Sequence, residues 1–161
     1  MTDPVALCFV CLGNICRSPL AEGVFLHLAR ERGVADRFAV DSSGTGGWHV
    51  GNAPDPRSVA VAAQHGVRLP SRARQFHADD IERFDLFLAM DVSNRDTLID
   101  RGVPADRVRL MRSFDPACAG NREPEVPDPY YGGEAGFEDV YTMLEAACNG
   151  LLDELTTRSI R

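Results

Sequence analysis

The chain has no lysine: all 17 of its basic residues are arginines. Schiff-base chemistry on a lysine is therefore excluded. Any anion site must be built from guanidinium and backbone N–H groups. Long apolar runs are missing too, with nothing near the roughly 18 residues that span a bilayer. The short run VALCFV (5–10) follows the charged Asp3 without the h-region or cleavage site of a secretory signal. Positive charge is scarce: the formal net charge is −7 at pH 7, which argues against general nucleic-acid affinity. The five cysteines, Cys8, Cys11, Cys16, Cys118 and Cys148, are an odd number without regular spacing, and His27, His49, His65 and His77 are scattered. Cys11 and Cys16 have no second Cys/His pair at close spacing, so a zinc site lacks its ligand pattern. The expectation is a cytoplasmic protein with reduced thiols, no metal, no cofactor, and neither nucleic acid nor membrane as partner.

What is present is a chain of 161 residues, long enough for one domain (1–161) with a core of its own. Strand-like and helix-like segments alternate. VALCFV reads as a buried parallel strand. Ser18-Pro19 opens a helix with Leu20, Val24 and Leu28 at helical spacing, and Gly33 can close it. RFAVDSSG (37–44) reads as a second strand, and Asp55-Pro56 as the cap and first turn of a helix ending near Gly66. FDLFLAMD (84–91) is expected as a third strand, with Ser93 capping a helix that closes at Gly102. RVRLMRSF (107–114) is expected as a fourth. A last amphipathic helix carries the stripe Phe137, Val140, Tyr141, Leu144, Cys148, Leu151 and Leu155. The alternation predicts an α/β fold, a parallel sheet with helices on both faces. Ligands of such folds bind at the carboxyl ends of the strands.

At the first such end stands VCLGNICRSP, residues 10–19. Five residues separate Cys11 from Arg17. A loop running from a strand into a helix N-terminus aims several N–H groups at one point. Gly13 and Asn14 tolerate left-handed backbone and let the loop curl into an anion-binding nest. Arg17 adds a planar fork for two phosphate oxygens. A thiol at the base of such a nest ionises more readily than a free cysteine, which makes Cys11 a candidate nucleophile. Ser18 is a candidate hydrogen-bond donor to it. Displacing a phosphoester oxygen in line calls for a proton donor opposite the thiolate. Asp128, in VPDPYYGG (126–133), is the leading candidate, although an Asp in a proline-rich turn is also a common turn former.

With these two motifs on view, the chain resembles the low-molecular-weight protein tyrosine phosphatases. The family's C-x-G-N-x-C-R-S-P and D-P-Y-Y-G patterns stand intact as Cys11–Pro19 and Asp128–Gly132. The stretches DSSGTGGWHVGNAPDPR (41–57), ARQF (73–76) and LAMDVSN (88–94) also fit. The all-arginine basic set, GTGGWHVG and RSFDP resemble actinobacterial members. The resemblance implies a three-layer α/β/α fold with a four-stranded parallel sheet in the order 2-1-3-4. It implies phosphotyrosine hydrolysis through a cysteinyl-phosphate, without metal. Cys11 would be the nucleophile and Asp128 the general acid and base. The backbone of Leu12, Gly13, Asn14, Ile15, Cys16 and Arg17, with the Arg17 side chain, would bind phosphate. Asn14, Ser18 and Ser42 would support the loop. Leu12, Trp48, His49, Tyr130 and Tyr131 would form the substrate rim. Ile15, an apolar residue, accompanies phosphotyrosine in the family, where Thr accompanies phosphoarginine. The implied partners are tyrosine-phosphorylated proteins and a tyrosine kinase acting on Tyr130 or Tyr131, an idea checked by the activity of a phosphorylated sample. A monomer is the expected state. Export without a signal peptide, as in some bacterial relatives, is left open.

Ser71 stands where many relatives carry a His that supports the loop Asn. Cys8 and Cys148 read as core, and Cys118 as incidental. A curled loop would bring Cys16 near Cys11, where a reversible disulfide would guard the nucleophile. The alternative for Cys16 is a small buried filler. Two rivals remain. A thiol-dependent arsenate reductase shares the fold and the C-x5-R loop but needs further cysteines around the third strand and the next helix, and residues 77–103 contain none. A phosphoprotein-binding module would have lost one of Cys11, Arg17 and Asp128.

Overall fold

The computed structural model describes residues 3–130 and 134–158. Strands β1 (Val5–Cys11), β2 (Phe38–Gly44), β3 (Leu86–Ala89) and β4 (Val108–Leu110) form one all-parallel sheet in the order β2-β1-β3-β4. Among the described residues five α-helices surround it: α1 (Arg17–Glu31), α2 (Pro56–Gln64), α3 (Asp80–Arg83), α4 (Val92–Asp100) and α5 (Glu134–Arg158).

The central strand shows why both faces must be covered. Leu7, Phe9 and Cys11 point to one side and pack with α1, α2 and α5. Cys8 and Val10 point to the other and pack with Phe84, Phe87, Leu98 and Val108. This is the period-2 alternation of a strand, apolar on both faces as a covered parallel strand requires. Each side chain of the size of Leu or Phe removed from water contributes about 1.5–3 kcal/mol. The α5 stripe is buried from Phe137 to Leu151, and Leu155 packs at its edge.

Several boundaries differ from expectation. β3 spans only Leu86–Ala89, and β4 ends at Leu110, after which Met111–Phe114 turns into a 3-10 helix. Apolar runs outlast the strands because Met90, Met111 and Phe114 remain buried after pairing has stopped. The cap of α4 is Asp91, not Ser93: the Asp91 carboxylate accepts from the Asn94 N–H at 2.8 Å, and the Asn94 side chain accepts from the Asp91 N–H at 3.2 Å. The two bonds satisfy orphan donors reciprocally.

The chain crosses from β2 past β1 to β3, so the strand order switches direction beside β1. The segments that leave the carboxyl ends of β1, β2, β3 and β4 gather at this point. It is where an open α/β sheet leaves room for a ligand.

The last helix is seated by a close approach. A Cβ built on Gly150 would lie 1.9 Å from the Phe114 carbonyl oxygen. Gly150→Ala gains about 1 kcal/mol of helix propensity but forces α5 off the 3-10 segment, and overpacking of this kind costs about 1–3 kcal/mol. The variant is expected to be less stable, read as a lower urea midpoint at unchanged slope.

Candidate active site

Between the end of β1 at Cys11 and the start of α1 at Arg17, the chain must reverse within five residues. Asn14 makes this turn at φ 56°, the one positive φ outside glycine among the described residues. The left-handed conformation falls to Asn14 rather than Gly13. Gly13 is needed for space, because a Cβ there would sit 2.9 Å from the His49 ring. A single left-handed residue costs on the order of 1–2 kcal/mol, and three hydrogen bonds hold it here. The Asn14 Oδ1 accepts from the Arg74 N–H at 3.0 Å, which fixes the amide's orientation. Its Nδ2 then donates to Ser18 Oγ at 2.7 Å and Ser42 Oγ at 3.0 Å. The Ser18 Oγ, already an acceptor, lies 3.0 Å from Cys11 Sγ and 3.4 Å from the Ser43 carbonyl. Ser18 Oγ donates to the Ser43 carbonyl, and across the shorter contact with Cys11 Sγ either atom can be the donor.

The chain of donors continues inward. Ser42 Oγ donates to Glu22 Oε1 at 2.6 Å, and Ser71 Oγ meets both Glu22 oxygens at 2.9 and 2.7 Å. Ser71 therefore braces Glu22, and supports Asn14 only through Glu22 and Ser42. Burial pushes the Glu22 carboxyl above its ordinary range against the two serine hydroxyls, with Asp41 adding to the rise and Arg74 opposing it.

Arg17 is buried at the head of α1. Its Nη1 donates to Asp91 Oδ2 at 2.7 Å and to the Val126 carbonyl at 3.0 Å, while Nη2 lies 3.6 Å from Asp128 Oδ2. Burial alone would make the guanidinium a weaker base, but Cys11, Asp91 and Asp128 around it raise its pKa. Val126 is anchored by its N–H to the Met90 carbonyl at 2.8 Å, so the Asp128 segment is pinned beside the end of β3. Asp128 is exposed, and its Oδ1 accepts from the Tyr130 N–H at 3.0 Å. Asp128 forms its local turn and faces Arg17 at once. The cap of α1, Cys16, makes no side-chain bond to the helix, and the first turn holds no acidic residue. Its leading N–H groups and helix dipole favour an anion.

A cavity of about 340 Å³ opens above the loop. Cys11, Leu12, Gly13, Ile15, Cys16, Arg17, Trp48, His49, Asp128 and Tyr130 line it, while Asn14, Ser18 and Ser42 stand behind its wall. Trp48 is 73% exposed and Leu12 45%. The His49 and Tyr130 rings lie 6.3 Å apart. Tyr131 lies outside the described residues. Asp91 and Glu22 escaped the sequence reading. An Asp directly after a strand with Asn three residues on was a legible cap for Asp91, but nothing local marked its contact with Arg17.

All five cysteines are free thiols. Burial, with Asp55 and Cys11 nearby, pushes Cys16 up to about 12. Burial likewise pushes Cys8 up to about 12 and raises Cys148.

Comparison with known proteins decides what the geometry belongs to. Residues 6–160 match the model of the low molecular weight phosphotyrosine protein phosphatases. The chain belongs to this family. A low molecular weight protein-tyrosine-phosphatase of Streptomyces coelicolor is 50% identical over 150 residues, covering 91% of this chain and 90% of that one. The low molecular weight protein-tyrosine phosphatase A of Mycobacterium tuberculosis is 44% identical over 161 residues, 100% of this chain and 98% of that one. A crystal structure of a protein tyrosine phosphatase from Entamoeba histolytica with Hepes in the active site superposes with a TM-score of 0.88 at 38% identity. The match covers 96% of this chain and 99% of that one. In this member of the low molecular weight phosphatases, a thiol, a guanidinium and a carboxyl group converge on one cavity.

Glu22 yields a pH prediction. Its folded-state pKa is raised, so the stability it contributes is present at low pH and is lost as pH rises above the ordinary carboxylate value of ~4.3. Glu22→Gln keeps an acceptor for Ser42 and removes the charge. Urea midpoints from about pH 4 to 7 should move progressively in the variant's favour, whereas a parallel pair of curves would refute this.

Proposed function

We propose that this chain, acting as a single catalytic domain, removes phosphate from tyrosine-phosphorylated proteins through a cysteinyl-phosphate intermediate. The observation that carries the reading is the convergence of Cys11, Arg17 and Asp128 on one cavity, with Arg17 Nη2 3.6 Å from Asp128 Oδ2. Cys11 Sγ attacks phosphorus in line. The bond to the phenolic oxygen breaks, and the Asp128 carboxyl passes its proton to that oxygen. Water then attacks the phosphorus and loses a proton to the Asp128 carboxylate. The sulfur–phosphorus bond breaks, inorganic phosphate leaves, and Ser18 hydrogen-bonds the returning electron pair on sulfur.

The loop N–H groups from Leu12 to Arg17 and the Arg17 fork hold the three non-bridging oxygens. Fixed donors of this kind contribute about 2.7–4 kcal/mol each to a transition state, and proton transfer contributes about 10²–10⁴-fold. Leu12, Trp48, His49 and Tyr130 form the rim that flanks the aryl ring, with Ile15 lining the apolar wall. The partners are cytoplasmic phosphotyrosine proteins, together with a tyrosine kinase acting on Tyr130 or Tyr131, and the chain works as a monomer. After oxidation of Cys11 by a peroxide to a sulfenic acid, the Cys16 thiol condenses with it, releasing water and forming a disulfide. The raised pKa of Cys16 makes that step slow, because attack requires the thiolate.

Cys11→Ser should abolish phosphate release while still binding inorganic phosphate, measured by calorimetry; turnover by that variant would overturn the assignment. Asp128→Ala should lower kcat/KM for a phosphotyrosine peptide by about 10²–10⁴-fold, and far less for an aryl phosphate whose phenol is strongly acidic. Mass spectrometry after peroxide treatment should find the Cys11–Cys16 disulfide, with activity restored by a thiol. Irreversible inactivation without the disulfide would remove the guarding role.

A further inference from the structure

Asp55 and Arg57 lie outside the chemistry described so far, yet together they join its two halves. Asp55 caps α2, and its Oδ1 accepts from the Arg57 N–H at 2.8 Å. The Arg57 guanidinium folds back onto the same carboxylate, Nε to Oδ1 at 3.1 Å and Nη2 to Oδ2 at 3.0 Å. Burial would push the Asp55 carboxyl up, but the hydrogen bonds from Arg57 overcome it, and Cys16 adds a weaker one; the carboxyl stays below its ordinary range. The head of α2 is fastened to the phosphate loop on two further bonds. The Asp55 N–H donates to the Ile15 carbonyl at 2.8 Å, and Ser58 Oγ to the Cys16 carbonyl at 3.3 Å.

The outer edge of Arg57 faces the other half. Nη2 donates to the Tyr130 carbonyl at 2.9 Å, and the guanidinium lies 5.6 Å from the Tyr130 ring centroid and 4.6 Å from that of Phe137. Tyr130 is thus gripped at both backbone groups. Its carbonyl is held by Arg57, and its N–H holds Asp128 Oδ1 at 3.0 Å. Asp128 is exposed, so its aim depends on how firmly this turn is seated.

We propose that Arg57, braced by Asp55, is the positioning residue for the Asp128 carboxyl, locking the proton-donor segment to the phosphate loop through the Tyr130 carbonyl. The inference rests on Asp128 being the proton donor. It separates two properties of the site. Phosphate binding by the loop and Arg17 needs only the phosphate loop, whereas proton delivery needs Asp128 held at a fixed place over it. A proton donor displaced by about 1 Å can lose on the order of 10²-fold. Arg57 therefore governs the steps in which a proton moves and leaves anion binding alone. Arg57 also borders an open cavity of about 470 Å³ between α2 and Phe137, so truncating it removes contacts at a margin rather than in the core.

The test measures kcat/KM over a series of aryl phosphates whose phenol pKa runs from about 4 to about 10, the tyrosine value. Asp128→Asn sets the reference, a steep fall as the phenol becomes less acidic. Arg57→Ala should lower the phosphotyrosine-peptide value at least about tenfold and the most acidic phenol's value less than about twofold, steepening the series in the same sense. Inhibition by inorganic phosphate should be unchanged. In the Asp128→Asn background Arg57→Ala should cost nothing more, because the group it positions is gone. Arg57→Lys, which keeps the charge and loses the fork, should fall between. Asp55→Asn, still a competent cap, should reproduce the steepening if Arg57→Ala does not fold. An equal loss across the series, or a loss that adds to Asp128→Asn, overturns the proposal. A flat series for Asp128→Asn overturns the proton-donor reading itself and the positioning role with it.

Discussion

The rest of the site hangs on Asn14. With φ at 56°, it lets a strand become a helix in five residues while keeping the intervening loop curled around one point. Its side chain meets Arg74 N–H, Ser18 and Ser42. The same three bonds that offset the backbone strain therefore place the hydroxyl that faces Cys11 Sγ at 3.0 Å. Conformation and chemistry share one network. That network reaches the α1 interior at Glu22, which makes a buried carboxyl on the helix part of the loop's support.

Electrostatics follows from a chain rich in acid and free of lysine. A buried guanidinium needs partners, and Arg17 finds them in Asp91, the Val126 carbonyl and Asp128. Each comes from a segment that leaves the sheet at the same edge. Asp91 both caps α4 and holds Arg17. Its two oxygens thereby connect the α4 end to the loop between Cys11 and Arg17. Arg57 does the corresponding job on the opposite side of the cavity, with Asp55 as its brace and Tyr130 as its load. The two arginines grip the Asp128 segment at points on either side of Asp128, one through Val126 and one through Tyr130.

Much of this was legible in the chain. The alternating pattern specified the parallel sheet, the family resemblance implied its order, and the cap and first-turn proline of α2 were read at Asp55-Pro56 as they stand. The α5 stripe packs where its periodicity placed it. Boundaries were less legible at β3 and β4, since an apolar run marks burial and not hydrogen-bond pairing. Ser71 shows the same limit at the site: it stands where relatives carry a His that supports the loop Asn, and only the fold shows that its hydroxyl reaches Glu22.

Local spacing alone determined that a thiol, a nest of N–H groups and an arginine meet at one strand end, because all three lie within a seven-residue segment whose geometry the backbone dictates. Only tertiary structure decided what surrounds them. Asp91 reaches Arg17 across 74 residues of sequence, Glu22 reaches Ser42 across 20, and Arg57 reaches Tyr130 across 73. Such contacts exist because strands distant in sequence are neighbours in the sheet, and no periodicity within a window records which carboxylate a buried guanidinium will find.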